Sequence, residues 1–241
     1  MSRLREKLVE HYADHYTRLN SDINPTATPG HVLRALDATF GPALTRVRPG
    51  GRVLDVGCGT GIMLHWLTRR GGVVPVGVDA SESQMHVLKR HLPGVEAYCA
   101  DGLSFMRERA GSFDAIICTD VLEHIPEPAL LDWVEAARDA LVPGGVFLCR
   151  VPNGANLTSP HARYIDMTHE RCFTSKSLLQ LLEVGGFSDC RIVPIRSAHF
   201  TGRARLLVER VLHRVVFAIC GDTREKVFTG NVMASAVRGS A

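Results

Sequence analysis

The feature that most constrains this chain is a glycine-rich turn, Asp-Val-Gly-Cys-Gly-Thr-Gly, at residues 55–61. A short apolar run, Val53–Val56, leads into the turn, and an amphipathic segment begins directly after it at Ile62. This order predicts a strand, a tight turn and a helix start, which is the opening of a nucleotide-binding α/β unit. Glycine is needed where backbone turns sharply or lies against a ligand with no Cβ in the way. We therefore expect a ligand at this turn.

Apolar runs alternate with amphipathic segments up to about residue 195, which predicts a parallel sheet with helices on both faces. The predicted strands cover residues 53–56, 74–78, 95–100, 112–119, 146–151, 191–195 and 231–238. The predicted helices cover residues 3–19, 31–47, 62–70, 81–91, 130–141, 177–184 and 203–220. Residues 153–173 show little periodicity, and Pro143-Gly144-Gly145 predicts a turn.

Composition is that of a globular protein, with 45% hydrophobic and 22% charged residues in a chain of 241. No apolar run approaches the roughly 18 residues of a membrane span. The charged N-terminus lacks the apolar core of a secretion signal. Seven scattered cysteines without a C-x-x-C pair predict reduced thiols in a cytoplasmic protein rather than a zinc site.

Four consecutive predicted strands end in an aspartate: Asp55, Asp79, Asp101 and Asp120. Ligands of an open parallel sheet bind outside the carboxyl ends of its strands, so these acids are expected to line one ligand edge. An acid after the second strand is the type that holds ribose hydroxyls. Together they predict a site for an adenosine-containing cofactor.

The spacing of the glycines argues against a dinucleotide. The dinucleotide fingerprint places its third glycine three residues after the second, whereas here Gly61 comes one residue too early. Asp55 would repel a pyrophosphate but would suit a ligand that carries an amino group. A cofactor that is adenosine-like at one end, cationic at the other and free of phosphate fits S-adenosylmethionine.

Several motifs, in this order along residues 50–195, resemble those of the class I S-adenosylmethionine-dependent methyltransferases. They are Asp55–Gly61, Gly77–Ser81, Cys99–Asp101, Phe113–Cys118, Val121–Ile125, Leu141–Gly145 and Gly185–Phe187. The resemblance implies an α/β fold: a Rossmann-like, seven-stranded, mostly parallel sheet with helices on both faces and a reversed last strand. We expect a single domain with an N-terminal helical cap (1–48), a cofactor-binding core (50–195), a helical insertion (196–230) that departs from the minimal fold, and a last strand with tail (231–241).

The resemblance also implies roles for single residues. The glycine turn would pack against the methionine portion of the cofactor, Asp79 would bind the ribose, Asp101 the adenine, and Asp120 would border the sulfonium. Cys58 is interpreted as a small filler and not as a nucleophile. The implied cofactor-binding set is Asp55, Gly57, Cys58, Gly59, Gly61, Asp79, Ala80, Asp101, Gly102, Asp120 and Val121.

A hydroxyl acceptor needs a general base near the sheet edge. His169 is the favoured candidate, with Asp166 three residues before it as a possible orienting acid, and His124 is the second. The absence of any side-chain base is left open, as is a divalent metal on Asp166, His169 and Glu170, although no metal is predicted. Four residues are candidates for acceptor binding: Tyr12, Tyr16, Tyr164 and Arg171.

The helix predicted at 203–220 combines apolar residues with arginines, and residues 196–238 hold eight Arg or Lys against three Asp or Glu. Four roles are open for this helix: covering the acceptor pocket, forming a homodimer, contacting a membrane or a lipid-linked substrate, and plain core packing. A basic segment indicates an anionic partner at this end or a solvated surface helix.

We therefore expect a methyltransferase that acts on a hydroxyl of a small molecule, with a sugar or sugar-linked intermediate as the leading acceptor class. The similarity of residues 166–179 to saccharide, lipid-precursor and natural-product methyltransferases favours that class. The alternatives are O- or N-methylation of an aromatic or polyketide natural product, and a non-catalytic protein that only binds the cofactor. No nucleic-acid partner is expected, because the sequence has no Asn-Pro-Pro-Tyr-like tetrad and no aromatic-rich basic surface outside its tail.

Overall fold

A computed structural model describes residues 7–8, 24–195, 200–221 and 226–240. Within these ranges seven strands form one sheet in the order β3-β2-β1-β4-β5-β7-β6, and β7 alone runs antiparallel to its neighbours. The strands are β1 (Gly51–Val56), β2 (Val73–Asp79), β3 (Glu96–Cys99), β4 (Phe113–Thr119), β5 (Leu141–Pro152), β6 (Ser188–Ile192) and β7 (Asn231–Val237). The predicted seven-stranded, mostly parallel sheet with a reversed last strand is confirmed.

Helices lie between the strands, and two of them had no counterpart in the sequence prediction: α4 and α6. The helices are α1 (Gly30–Leu44), α2 (Ile62–Arg70), α3 (Glu82–His91), α4 (Gly102–Arg107), α5 (Glu127–Ala140), α6 (Ser159–Tyr164), α7 (Ser175–Val184) and α8 (Phe200–Ile219). Short 3-10 helices occupy Pro25–Ala27 and Leu122–His124. Most of the helix predicted at 3–19, with Tyr12 and Tyr16, lies outside the described residues, although residues 7–8 are helical.

The central strands are buried on both faces, which explains their continuous apolar sequence. Alternate side chains of β1 enter different clusters: Leu54 packs with the α5 side, whereas Val53 packs with Phe40 of α1 and Trp66 of α2. Each large apolar side chain buried in this way contributes about 1.5–3 kcal/mol. The two clusters hold the sheet rigid, so the carboxyl ends of its strands form a fixed edge.

One local prediction was wrong. The predicted turn at Pro143–Gly145 lies inside β5, because the pairing with β4 jumps from Phe113↔Leu141 to Ala115↔Val146. The extra residues form a bulge in a continuing strand. Arg238 fastens it, since its backbone N–H donates to the carbonyl of Gly145 at 2.9 Å. Proline and glycine therefore mark an irregular strand here rather than a chain reversal.

Candidate active site

The glycine turn after β1 is shaped by positive backbone φ angles at Gly57 (+73°), Gly59 (+52°) and Gly61 (+96°). A Cβ on Gly57 would lie 2.4 Å from Cγ2 of Val121, in the loop that follows β4. The backbone N–H of Gly57 donates to the carbonyl of Val78 in β2 at 2.9 Å. The turn is thus fixed between two neighbouring strand ends, and only glycine allows the close approach at position 57.

Asp79, at the end of β2, links the turn to the next loop. One carboxylate oxygen accepts the N–H of Gly59 at 2.8 Å, and the other accepts the N–H of Ser81 at 2.8 Å. Burial raises the pKa of the Asp79 carboxyl, and these two N–H groups partly offset that shift. Each oxygen keeps further acceptor capacity, because a carboxylate has about four lone-pair sites. Asp79 can therefore accept two ribose hydroxyls without giving up either backbone bond.

Asp55 lies beneath the turn and is 1% exposed. Its Oδ1 has no hydrogen-bond partner among the described residues. Burial raises the pKa of this carboxyl well above its ordinary value, Asp79 raises it further, and Arg150 opposes the shift. A cationic ligand group beside Asp55 would restore the charged form, which is what the sequence predicted for an ammonium-bearing cofactor.

The two remaining acids sit at the same edge but are exposed. Asp101 caps α4 by accepting the backbone N–H of Ser104 at 2.8 Å and its hydroxyl at 2.9 Å. Asp120 has a φ of +57° and forms an ion pair with Arg150. The four acids therefore follow four adjacent parallel strands, as expected, but each has a different local environment.

Cys58 is buried within the turn, with its sulfur 4.0 Å from that of Met85. Burial is the main cause that raises the pKa of the Cys58 thiol well above its ordinary value, and Asp55 adds to it. A protonated thiol is a poor nucleophile. The geometry agrees with the interpretation of Cys58 as a small filler.

Sequence reasoning missed one buried group, Glu123. Its side chain is fully buried, and neither carboxylate oxygen has a hydrogen-bond partner among the described residues. Burial first, and then the negative charge of Asp120, raise the pKa of Glu123 to about 8. The signal was an acid directly after the apolar pair Val121-Leu122, where burial of an unpaired charge is costly.

Both candidate histidines lie against Glu123. The rings of His124 and His169 meet edge to face with centroids 4.6 Å apart. One ligand atom from each of Glu123, His124 and His169 falls within 4.8 Å of the others. Residues far apart in the chain therefore meet beside the loop after β4, at the edge that carries the glycine turn.

Hydrogen bonds fix the tautomer of His169. Its Nδ1 lies 2.8 Å from the carbonyl oxygen of Ala162, and a carbonyl can only accept. The Nδ1 therefore carries the proton, and in the neutral ring Nε2 carries the lone pair. A histidine held in this way presents a base at Nε2.

The side chain of Asp166 is connected by hydrogen bonds to His124. Its Oδ1 accepts the Thr168 hydroxyl at 2.7 Å, and the Thr168 oxygen lies 2.7 Å from Nδ1 of His124. Since the hydroxyl proton is used on Asp166, the Thr168 oxygen accepts from His124. Asp166 is thereby connected to His124 through Thr168, a contact that its spacing from His169 did not predict.

The three converging groups can hold a divalent cation, because one carboxylate and two imidazoles are suitable ligands. Among the described residues this is the sole such group, and it contains neither Asp166 nor Glu170. The set weighed from sequence, Asp166, His169 and Glu170, is therefore not brought together as a metal site.

The candidate acceptor-binding residues are less well placed. Tyr164 ends α6 with 74% of its surface exposed, and Arg163 lies over its ring at 5.1 Å. Arg171 is half-buried and forms no salt bridge within the described ranges. Burial lowers the pKa of its guanidinium, the negative charge of Glu127 opposes this shift, and Arg163 adds to it. An anionic group on an acceptor would compensate both arginines.

Comparison with known proteins places the chain in a family. A family model described as a methyltransferase domain matches residues 30–190. The ubiquinone biosynthesis O-methyltransferase of Dinoroseobacter shibae is 31% identical over 172 residues, which cover 65% of this chain and 68% of that protein. The protein of the same description from Aromatoleum aromaticum is 38% identical over 100 residues, 40% of this chain and 42% of its own length.

Among solved structures, an S-adenosylmethionine-dependent methyltransferase from Archaeoglobus fulgidus superposes with a TM-score of 0.63. It is 19% identical, and the match covers 85% of this chain and 94% of that one. At this identity the likeness shows the fold alone. The family match, the relatives and the cofactor edge agree, and the chain belongs to the class I S-adenosylmethionine-dependent methyltransferases.

Proposed function

We propose that this protein transfers the methyl group of S-adenosylmethionine to a hydroxyl of a small molecule, with Nε2 of His169 as the general base. The observation that carries the proposal is the lone pair of His169, fixed by Ala162 and placed beside Glu123 and His124. The relatives are named as O-methyltransferases, which supports oxygen as the acceptor atom.

The residues present fit the cofactor. The positive φ angles of the turn leave its backbone open to a ligand, and Asp79 retains lone pairs for hydroxyls. Oδ1 of buried Asp55 has no hydrogen-bond partner among the described residues. The bound cofactor supplies a methyl group already activated by the sulfonium. The protein has to align the acceptor with that methyl, exclude water and accept the hydroxyl proton.

In the proposed step an acceptor oxygen bonds to the methyl carbon as the carbon–sulfur bond breaks. The hydroxyl proton passes to Nε2 of His169, while the carbonyl of Ala162 keeps holding Nδ1–H. Glu123, protonated below about pH 8, can donate a hydrogen bond in the same space. His124, oriented by Thr168 and Asp166, borders the site as the second candidate base.

A second candidate mechanism rests on the convergence of Glu123, His124 and His169. A divalent cation on these three groups would lower the pKa of a bound acceptor hydroxyl, and no imidazole base would be needed. Treatment with EDTA distinguishes the two mechanisms. If His169 is the base, the rate of methyl transfer should stay unchanged in EDTA. If a cation activates the acceptor, activity should be lost in EDTA and recovered with Mn²⁺ or Zn²⁺.

For the acceptor we propose a sugar hydroxyl, free or linked to a nucleotide or lipid. Support comes from Arg163 and Arg171 near the irregular segment, which suit a phosphate on such an acceptor. The main alternative is a ring hydroxyl of an aromatic or polyketide compound. The relatives' role in ubiquinone biosynthesis favours this alternative.

Transfer of a radiolabelled methyl group to a panel of sugar phosphates, nucleotide sugars and phenols tests the proposal. We expect labelling of at least one hydroxyl acceptor by the wild type and strong loss in His169→Ala. Labelling of amines alone would contradict oxygen transfer, and normal labelling by His169→Ala would contradict the base.

The setting of the enzyme is also a proposal. All seven cysteines are free thiols, and this supports a cytoplasmic location. Three of them are buried (Cys58, Cys118 and Cys149), whereas Cys99 and Cys220 are exposed. None of the helices described here is long and apolar enough to cross a bilayer.

A further inference from the structure

The outward side of α8 is apolar although it faces solvent. Val208 is 66% exposed and Ile219 is 81% exposed. We call the exposed apolar side chains of this helix the outer face: Leu207, Val208, Val211, Leu212, Val215 and Ile219. An ordinary surface helix places polar residues on its solvent side, so this arrangement is the reverse of what a helix in water needs.

The inner side of α8 is already occupied, so the outer face is not a core surface. Nε2 of His213 accepts the backbone N–H of Leu157 at 2.8 Å, while its Nδ1 donates to the carbonyl of Glu209 at 2.7 Å. The ring centroids of His213 and Phe217 each lie 5.2 Å from the ring centroid of Phe228. These contacts fix α8 to the start of the irregular acceptor-side segment and turn the outer face away from the protein.

Positive charge flanks the outer face. With 100° between successive residues, Arg210 and Arg214 fall along one flank and are exposed. Neither forms a salt bridge within the described part of the chain. Residues 200–219 contain four arginines and one glutamate, and Glu209 is half-buried on the inner side. The outer face is therefore apolar with a cationic border.

The size and charge of this face decide what covers it. A 20-residue helix is about 30 Å long and 10 Å wide, so one face offers on the order of 300 Å². A stable dimer usually buries about 800 Å² per partner. An apolar strip bordered by arginines instead matches a helix lying in the plane of an anionic bilayer surface, where apolar side chains enter the headgroup boundary and cations meet lipid phosphates.

We propose that α8 docks this protein on anionic membranes, with the outer face in the lipid interface and Arg210 and Arg214 on the headgroups. The hydrogen bond between Leu157 and α8 then holds the irregular segment 153–173 close to the bilayer. The same segment carries two further exposed apolar side chains, Ile165 and Met167. This inference goes beyond the methyl-transfer reaction and is tested without turnover.

Co-flotation with lipid vesicles through a sucrose density gradient tests the proposal. One set contains phosphatidylcholine alone, and the other adds phosphatidylglycerol. We expect the wild type to float with the anionic vesicles and Val208→Asp to partition about tenfold less. Val184→Asp is the matched control, because Val184 is 63% exposed and belongs to α7 rather than to the outer face. Thermal melting verifies that each variant is folded.

The charge contribution is tested separately. Arg210→Glu/Arg214→Glu should weaken binding to anionic vesicles by about fivefold for each arginine, and added salt should reduce this difference. Arg34→Glu/Arg69→Glu changes the net charge equally at two exposed arginines elsewhere and should bind as the wild type does.

Two results would overturn the proposal. One is a wild type that stays unbound, or equal flotation of Val208→Asp and Val184→Asp. The other is a dimer, seen by sedimentation, that Val208→Asp dissociates, since a second copy would then cover the outer face. A wild-type protein that binds vesicles but transfers no methyl group would instead count against the methyl-transfer proposal alone.

Discussion

The cofactor edge and the acceptor side of this protein are built in different ways. The cofactor edge is formed by backbone: glycines with positive φ, strand ends and N–H groups bound to Asp79. The proposed acceptor side is formed by side chains: the irregular segment 153–173 brings His169 to Glu123 and His124. The difference teaches that the two halves can fail independently, so cofactor binding and chemistry should respond to different substitutions.

The largest expected effect lies on the acceptor side. His169→Ala should lower kcat by about 10²–10⁴-fold, because a general base contributes that much, while affinity for S-adenosylhomocysteine stays unchanged. Steady-state kinetics and calorimetry on the same preparation measure both. His161→Ala is the control, since His161 is exposed in the same segment. Loss of cofactor affinity in His169→Ala would contradict the claim that cofactor binding and chemistry depend on different residues.

The next largest effect lies in the glycine turn. Gly57→Ala should weaken S-adenosylhomocysteine binding by about 100-fold or more, because a Cβ meets Val121 at 2.4 Å and the φ of +73° is strained. Gly50→Ala has nearly the same φ, +74°, with nothing within 4 Å of the added Cβ. Gly50→Ala therefore introduces the same kind of backbone strain without a steric clash. Equal binding by the two variants would show that the approach to Val121 does not matter.

Asp79→Asn gives a smaller loss on the same edge. An amide keeps one acceptor oxygen but loses the charge that binds N–H groups and hydroxyls, at a cost of about 1.5–3 kcal/mol, or roughly 10–150-fold in Kd. Calorimetry with S-adenosylhomocysteine measures it. Asp101→Asn, at an exposed helix cap, should lose less. The reverse order would contradict the ribose assignment of Asp79.

The last prediction concerns stability rather than binding or rate. The pKa of folded Glu123, about 8, exceeds the ordinary 4.5, so its stabilising contribution is complete below 4.5 and is lost as pH rises to 8. Wild-type stability should fall by up to about 1.4 kcal/mol per pH unit across that window. Glu123→Gln should lack this slope. Urea unfolding at pH 5 and pH 8, both in EDTA, measures it, and parallel slopes would refute the buried-acid assignment.

The same contrast explains what the sequence predicted. The turn at 55–61, the aspartates at the ends of the first four strands and the alternation of strands and helices follow from local patterns, because glycine spacing and apolar runs report directly on backbone. Helix α4 is too short to show a period, and the bulge at Pro143–Gly145 has the composition of a turn. These errors come from patterns shorter than a helical or strand repeat.

The acceptor side could be predicted only in part. His169 and His124 were recognisable as titratable residues near strand ends, but their contact with Glu123 depends on tertiary packing. The connection from Asp166 to His124 runs through Thr168, which sequence spacing does not show. Tyr12 and Tyr16 lie outside the described residues, so their acceptor role stays a prediction.

Calorimetric titration of the wild-type protein with S-adenosylhomocysteine, alone and in excess NAD⁺, tests the central claim most directly. The backbone-built edge, with its displaced third glycine and buried Asp55, predicts saturable binding at a single site that NAD⁺ does not displace. Absence of binding, or displacement by NAD⁺, would contradict the account.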